Sequence, residues 1–393
     1  MESTLKIADI FAFQLPKKII FGNGAIHQIG AEIRNLNVRK VIIVTDPGIV
    51  NAGLLEEAIS SMKKEEIQFD VFDKIVPDPP IKIVEECSMK VKKERFDAVL
   101  GFGGGSSIDT AKAVSFMATH DGNIRDYLGI NNVKMPGIPK IFVPTTAGTG
   151  SELSHTFVLT DEQSGAKITS YSLYTFADVS IIDPVLTLNL PPKVTAESGI
   201  DAFSHAIESY VTVRANPLSE MFSIKGIEYI SKYLRQAYAK GSKLLEARYF
   251  MCLGVNMGTM AIRSSGVGAI HALCYPIAAK YHLTHGLAIA LMMPHVMEYN
   301  LISNVTKYAN IAEAMGEKIE GLSLYQAALR SVEAVKSLLR DVGFSQSLRD
   351  VGVKEDDFHE FAEDVPKYYS HHLANNPRGL SYEDIIQIYK NAY

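Results

Sequence analysis

Four side chains in the second half of the sequence, Asp201, His205, His271 and His285, have the types and spacing to hold a divalent cation. In Gly199-Ile200-Asp201-Ala202-Phe203-Ser204-His205 the carboxylate and the imidazole are four residues apart, so on a helix they share one face, a turn from each other. Such a pair also occurs as a plain helix-surface hydrogen bond, and it becomes half of a metal site only if further donors arrive from elsewhere. His271 and His285 are the candidates, fourteen residues apart, which on one straight helix is ~21 Å. They can share a metal only if the chain breaks between them, and Pro276 and the Thr284-His285-Gly286 corner offer such breaks. One carboxylate oxygen with three imidazoles is acceptable to Fe²⁺ or Zn²⁺. His282 is the rival of His285 and ranks lower because no glycine adjoins it to let backbone approach closely. His27, His120, His155, His295 and His359 stand alone and read as surface or structural; His371-His372 reads as exposed, with a cleft-lining pair as the alternative.

A second set of residues points to a nucleotide. The segment Ala98-Val99-Leu100-Gly101-Phe102-Gly103-Gly104-Gly105-Ser106-Ser107-Ile108-Asp109 runs from a buried strand through glycines into a helix. Glycines allow positive φ and close approach of the backbone to a pyrophosphate, whose charge the helix N-terminus attracts. Ser106 or Ser107 is predicted to cap that helix, with Asp109 completing the capping arrangement from the first turn. A tight turn with no ligand is the alternative. The motif follows a later strand near residue 100, whereas the usual dinucleotide fingerprint follows the first, so an ordinary Rossmann dehydrogenase is disfavoured. Asp46, at the end of Val41-Ile42-Ile43-Val44-Thr45, suits a ribose 2′-hydroxyl and would repel the extra phosphate of NADP, although an Asp-Pro-Gly turn explains it equally. The loop Pro144-Thr145-Thr146-Ala147-Gly148-Thr149-Gly150-Ser151-Glu152 adds a second hydroxyl- and glycine-rich surface for a nucleotide or ribose.

The elements that must position these residues fall into two halves. Strand candidates at 18–21, 41–45, 68–72, 98–101 and 141–143 alternate with amphipathic stretches such as 53–64 and 82–94, which implies parallel strands with helices on both faces. Ligands of such sheets bind at the carboxyl edge of the strands. After Ile181-Ile182-Asp183-Pro184 long 3.6-periodic segments take over, at 196–212, 217–239, 243–264, 302–315 and 322–342. The boundary is placed near Leu188, giving an α/β nucleotide-binding domain over 1–188 and an all-helical metal-binding domain over 189–393, expected to pack with a cleft between them.

Bulk properties remove other classes. The chain of 393 residues is 47% hydrophobic and 21% charged, the composition of a globular protein, and its net charge of −5 gives no general attraction to nucleic acid or anionic lipid. Cys87, Cys252 and Cys274 are far apart and unpaired in pattern, against a disulfide framework and in favour of a reducing compartment. The first thirteen residues carry Glu2, Lys6 and Asp9 and lack a signal-peptide core, and the longest apolar run, 286–293, is far short of the ~20 residues that span a bilayer. No GxSxG elbow, Walker lysine loop or HExxH motif supports a hydrolase or ATPase.

In combination, the Gly103–Lys112 run, the Thr145–Glu152 loop, Asp201-x3-His205 and His271-x13-His285 resemble the iron-containing (group III) alcohol dehydrogenases. The resemblance extends from Pro16-Lys17-Lys18-Ile19-Ile20-Phe21-Gly22-Asn23-Gly24 to Asn376-Pro377-Arg378. It implies a dehydroquinate synthase-like parallel α/β domain followed by an all-α domain, with Asp201, His205, His271 and His285 as metal ligands. It places Asp46, Asp78, Gly105, Ser106, Thr146, Ala147, Gly148, Thr149, Val158 and Lys167 where the family contacts NAD, beside Gly104, Asp109 and Thr145. It implies reversible hydride transfer between nicotinamide and a small alcohol or aldehyde, in a cytoplasmic homodimer holding iron, with zinc as the alternative. One position departs from the pattern: many members have a further histidine four residues after the third ligand, where this chain has Tyr275. The resulting His271-Ala272-Leu273-Cys274-Tyr275-Pro276 is similar to a subgroup that includes phosphonate- and sulfonate-aldehyde reductases and hydroxyacid–oxoacid transhydrogenases. Tyr275 is therefore a candidate hydrogen-bond donor or proton relay, against a plain packing role. An alternative inside the superfamily is a glycerol dehydrogenase-like zinc enzyme; readings of another class are a dehydroquinate synthase-like lyase and a non-catalytic NAD or metal sensor.

Overall fold

A computed structural model describes residues 10–393, so the charged start at Glu2, Lys6 and Asp9 lies outside the described residues. The chain divides into two compact units. The first, Leu15–Leu188, holds strands β1 (Ile19–Phe21), β2 (Lys40–Val44), β3 (Gln68–Phe72), β4 (Ala98–Gly103), β5 (Lys140–Pro144), β6 (Thr156–Asp161), β7 (Ala166–Tyr171) and β8 (Val179–Ile182). Its helices are α1 (Ile29–Asn35), α2 (Pro47–Asn51), α3 (Glu56–Lys64), α4 (Ile81–Glu94) and α5 (Gly105–Met117). The second unit begins at Asn189 and holds α6 (Pro192–Val211), α7 (Pro217–Lys240), α8 (Leu245–Ser265), α9 (Ala269–Tyr281), α10 (His285–Asn300), α11 (Val305–Ala314), α12 (Leu324–Asp341), α13 (Phe358–Tyr368), α14 (Ser370–Asn375) and α15 (Tyr382–Asn391). Residues 10–14 group with this helical unit rather than with the α/β half, and Phe13 stacks on Phe222 at 5.6 Å.

Six strands form one parallel sheet in the order β1-β8-β5-β4-β2-β3. Alternate residues feed opposite faces: Val41, Ile43, Leu100 and Phe102 enter one apolar core, Ile42, Val44 and Val99 the other. Each such fully buried aliphatic side chain contributes roughly 1.5–3 kcal/mol of transfer free energy, which explains why these strands read as continuous hydrophobic runs. The chain winds outward from β2 to β3 and then returns to the other side of β2 as β4. This reversal puts the carboxyl ends of β2 and β4 side by side, with Val44 paired to Gly101, and such a reversal leaves a crevice for ligands.

Three strands have no counterpart in the periodicity reading. β8 is four residues long and lies inside the sheet between β1 and β5. β6 and β7 form a separate antiparallel hairpin turning at Gly165, φ +70°. β7 reads Ala-Lys-Ile-Thr-Ser-Tyr and is largely exposed, so its strand state comes from pairing with β6 rather than from an apolar face. Among the described residues no helix is long and apolar enough to cross a membrane.

Candidate functional site

Within the helical unit, α6 is buried along most of its length, and its face carries Asp201, His205 and Glu208 at spacings of four and three. His271 sits in the first turn of α9 and His285 opens α10. The break between those helices is at His282, which takes the left-handed conformation at φ 53°, and at Thr284, the N-cap of α10. Pro276, expected to help break the chain, instead lies inside an unbroken α9. His282 ends that helix and does not join the cluster. Gly286 is the residue that allows α10 to touch α6: a Cβ there would lie 2.5 Å from the carbonyl oxygen of Glu197 and 2.7 Å from its Cα.

Three of the four proposed ligands, Asp201, His271 and His285, bring donor atoms within 4.8 Å of one another. His205 adjoins them from the same helix as Asp201. The Nε2 atoms of His285, His205 and His271 lie 3.4, 3.5 and 3.8 Å from Asp201 Oδ1. His205 stacks on His271 with ring centroids 5.0 Å apart. Yet Asp201 Oδ1 and His271 Nε2 are buried and make no hydrogen bond. Buried polar atoms without partners are costly, and three imidazole nitrogens crowding one carboxylate oxygen need a positive charge among them. A divalent cation meets that need, so these residues fit the group.

The electrostatics point the same way. Burial would raise the Asp201 carboxyl, but the charges of His205 and His285 hold it well below the usual carboxylate range. Burial depresses His205 to about 3. Burial works downward on His271 as well but is outweighed by the Glu208 and Asp201 carboxylates, which bring it to about 9. His285, likewise desolvated, is raised to about 10 by Cys274 and Asp201. The imidazoles thus compete for protons around two buried carboxylates, a place a metal ion takes without protons.

Glu208 is the residue that spacing analysis missed. It is buried, with Oε2 2.5 Å from His271 Nδ1 and Oε1 accepting the Ile270 N–H at 2.7 Å. The available signal was its position seven residues after Asp201 on the same helix face. Tyr275 stacks on His285 at 5.6 Å and on Tyr369 at 4.9 Å, with the ring of His372 6.0 Å away. Burial raises its phenol well above the ordinary range, so it stays protonated and able to donate a hydrogen bond. His372 lies against this aromatic group rather than in open solvent.

In the α/β unit, Gly103 has φ +147° and Gly104 is the N-cap of α5. Ser106 and Ser107 therefore stand inside the first turn and neither caps the helix, contrary to expectation, because the helix begins at Gly105, with its cap two residues before Ser106. Asp109 does not cap either. Its Oδ2 accepts the Val158 N–H at 2.9 Å, and its Oδ1 is shared by Ser151 and the buried Lys112. Without a side-chain cap, the first N–H groups of α5 are available to an anion.

The Thr145–Thr149 loop closes over this turn. Thr145 N–H donates to the Gly103 carbonyl at 3.0 Å, and Ala147 and Gly148 are buried beneath the loop surface. A Cβ on Gly105 would lie 3.1 Å from Thr149 Oγ1, and one on Gly104 3.7 Å from Thr146 Cγ2, so the glycines leave a cradle that a side chain would fill. Asp46 caps α2 by accepting the Ile49 N–H at 3.1 Å, while Oδ2 lies beside Gly103. Asp78, at φ 52°, pairs with Lys167 on the hairpin at 2.7 Å, and both are largely exposed.

Comparison with known proteins covers both units. The family model for iron-containing alcohol dehydrogenase matches residues 16–184, and that for the Fe-containing alcohol dehydrogenase family, C-terminal, matches 195–393. The chain is 37% identical to long-chain-alcohol dehydrogenase 1 of Geobacillus thermodenitrificans over 375 residues, 95% of this chain and 94% of that one. It is 35% identical to sulfoacetaldehyde reductase of Bilophila wadsworthia over 380 residues, 96% and 98% of the two chains. The solved structure of a 1,3-propanediol oxidoreductase superposes with a TM-score of 0.94 at 36% identity, covering 98% of this chain and all of the other.

Proposed function

This chain belongs to the iron-containing alcohol dehydrogenase family, and from that premise we propose that Asp201, His205, His271 and His285 hold one divalent ion, iron first and zinc second, for NAD(H)-linked oxidation of a small alcohol or reduction of its aldehyde. The observation that carries the ligand assignment is Asp201 Oδ1, buried and without a hydrogen bond, with three imidazole nitrogens 3.4–3.8 Å away. When bound, the ion supplies Lewis acidity to the alcohol or carbonyl oxygen. Membership of the family decides for an oxidoreductase over the lyase and sensor readings.

The chain's own residues do the rest. The uncapped start of α5 and the glycine cradle beneath Thr146 and Thr149 take the pyrophosphate, and Asp46 Oδ2 accepts a ribose hydroxyl and disfavours a 2′-phosphate. Asp109 acts from beneath, tying α5 to the hairpin through Val158, while Lys167 and Asp78 lie at that hairpin's exposed edge. Tyr275, kept protonated by burial, donates a hydrogen bond to the substrate oxygen or passes it a proton. Three free cysteines, all buried, fit a cytoplasmic protein, and the family expectation is a homodimer, which light scattering would measure.

A second reading narrows the substrate to phosphonate- or sulfonate-bearing aldehydes, or to transhydrogenation between hydroxyacids and oxoacids. Tyr275 beside His285 favours it. The experiment for both is anaerobic purification, metal analysis, and NADH oxidation against short, hydroxylated, phosphonated and sulfonated aldehydes, beside Asp201→Ala and His271→Ala. Activity that requires iron or zinc and vanishes in both variants upholds the ligand set and ranks the substrates; activity unchanged in those variants sinks it.

A further inference from the structure

We infer that Glu208 is the positioning residue of the metal centre: a single carboxylate sets the tautomer of His271 and pins the start of the helix that carries it. This rests on the reading of Asp201, His205, His271 and His285 as ligands. Helix α9 begins after Gly268, which has no side chain to cap it. Its first N–H, from Ala269, goes to Asn376 Oδ1 at 3.2 Å, and its second, from Ile270, to Glu208 Oε1 at 2.7 Å. A Cβ on Gly268 would lie 3.1 Å from Asn376 Oδ1 and 3.3 Å from Glu208 Oε1, so the missing side chain is what admits both caps.

The second carboxylate oxygen of Glu208 meets His271 Nδ1 at 2.5 Å. A carboxylate seated on a helix N-terminus offers only acceptors, so Nδ1 carries the proton that faces it. Nε2 is then the nitrogen that can give its lone pair to a metal ion, and it is this buried atom, without a hydrogen bond, that looks toward Asp201 Oδ1. Carboxylate, imidazole and cation in line is the arrangement that fixes a ligand ring and raises its basicity. Asn376 extends the support. Its side chain exchanges hydrogen bonds of 2.9 and 2.7 Å with Asn300, the last residue of α10, and donates to the Arg378 carbonyl at 2.6 Å. The Asn376-Pro377-Arg378 turn thus ties the start of one ligand-bearing helix to the end of the other.

The test is zinc binding by metal-free wild type, Glu208→Gln and Asp201→Ala, measured against a competing chromophoric chelator, with thermal unfolding of each metal-free form. In Glu208→Gln one end of the side chain becomes a donor, so whichever way the amide sits, either the Ile270 cap or the Nδ1–H contact is lost. With the cap kept, the amide favours the proton on Nε2, where the ligand lone pair is needed. The expected result is a zinc affinity about 10–100-fold weaker with little change in metal-free melting temperature. A lowered melting temperature with zinc affinity unchanged makes Glu208 merely structural and overturns the inference. Unchanged affinity in Asp201→Ala overturns instead the ligand reading beneath it. Independently of any variant's folding, ¹⁵N-histidine spectra of zinc-loaded wild type should show His271 protonated at Nδ1 and bare of hydrogen at Nε2; a proton on Nε2 overturns the inference.

Discussion

On the proposed reading, helices α5 and α6 both gather groups around a charge, α5 with the backbone at its end and α6 with side chains along its length. At α5 the binding groups are N–H vectors present in every helix, and the residues around them are chosen for what they lack: Gly104 and Gly105 leave room, and no side chain occupies the cap. At α6 the groups are a buried carboxylate and imidazole, and each partner ring comes from another helix held by its own network. On that reading the backbone site tolerates small shifts, because a pyrophosphate can slide along several N–H groups. The side-chain site does not, since each donor has one atom and one direction to offer.

That contrast can be broken or sharpened by substitution. The largest effect is expected from Asp201→Ala, which removes the oxygen around which the three imidazoles gather. Loss of Lewis acidity amounts to several kcal/mol, so kcat/KM should fall by about 10³-fold or more while NADH binding, read by fluorescence, stays near wild type. Gly105→Val probes the other side. Its Cβ and methyls would press on Thr149, and losing one charge-assisted phosphate contact of about 2 kcal/mol weakens NADH roughly 30-fold with zinc affinity unchanged. If either variant disturbs both ligands equally, the division of labour between the helices is wrong.

Asp46→Ala should act more gently, weakening NAD about tenfold and narrowing the preference over NADP, with about 1 kcal/mol of stability lost as the cap of α2 disappears. Equal loss for both cofactors would reduce Asp46 to its capping role. The smallest expected change is in acid stability. His295 in α10 is depressed to about 4, by burial first and then by the charge of Lys336. Because the folded state binds its proton less readily than the unfolded one, His295 costs no stability above pH 6.5 and destabilises progressively as pH falls from 6.5 to about 4. In metal-free protein, His295→Gln should flatten the melting-temperature decline across that window by a few degrees, about 1–2 kcal/mol. An unaltered pH profile would remove His295 as its cause.

Much of the architecture was legible because its determinants are local. The parallel sheet announces itself in runs such as Val41-Ile42-Ile43-Val44, whose two alternating faces are both buried, and the helical half in its 3.6-residue apolar repeat. The pairing of Asp201 with His205 follows from helix geometry alone. Less legible were β7, which is a strand only because β6 lies beside it, and the capping of α5, where the order of strand end and turn put the cap at Gly104, two positions ahead of the serines.

What the sequence determined by itself was the inventory: which residues are able to bind a metal or an anion, and on which elements they ride. Only the tertiary structure decided which of them meet. The choice of His285 over His282 depends on where α9 ends and on the absence of a side chain at Gly286, which lets α10 reach α6. The role of Glu208 depends on a contact across 63 residues, between the side of one helix and the start of another. Spacing along a chain reports neighbours within a helix turn, whereas the direction of a lone pair is set by partners that only folding brings within hydrogen-bond reach.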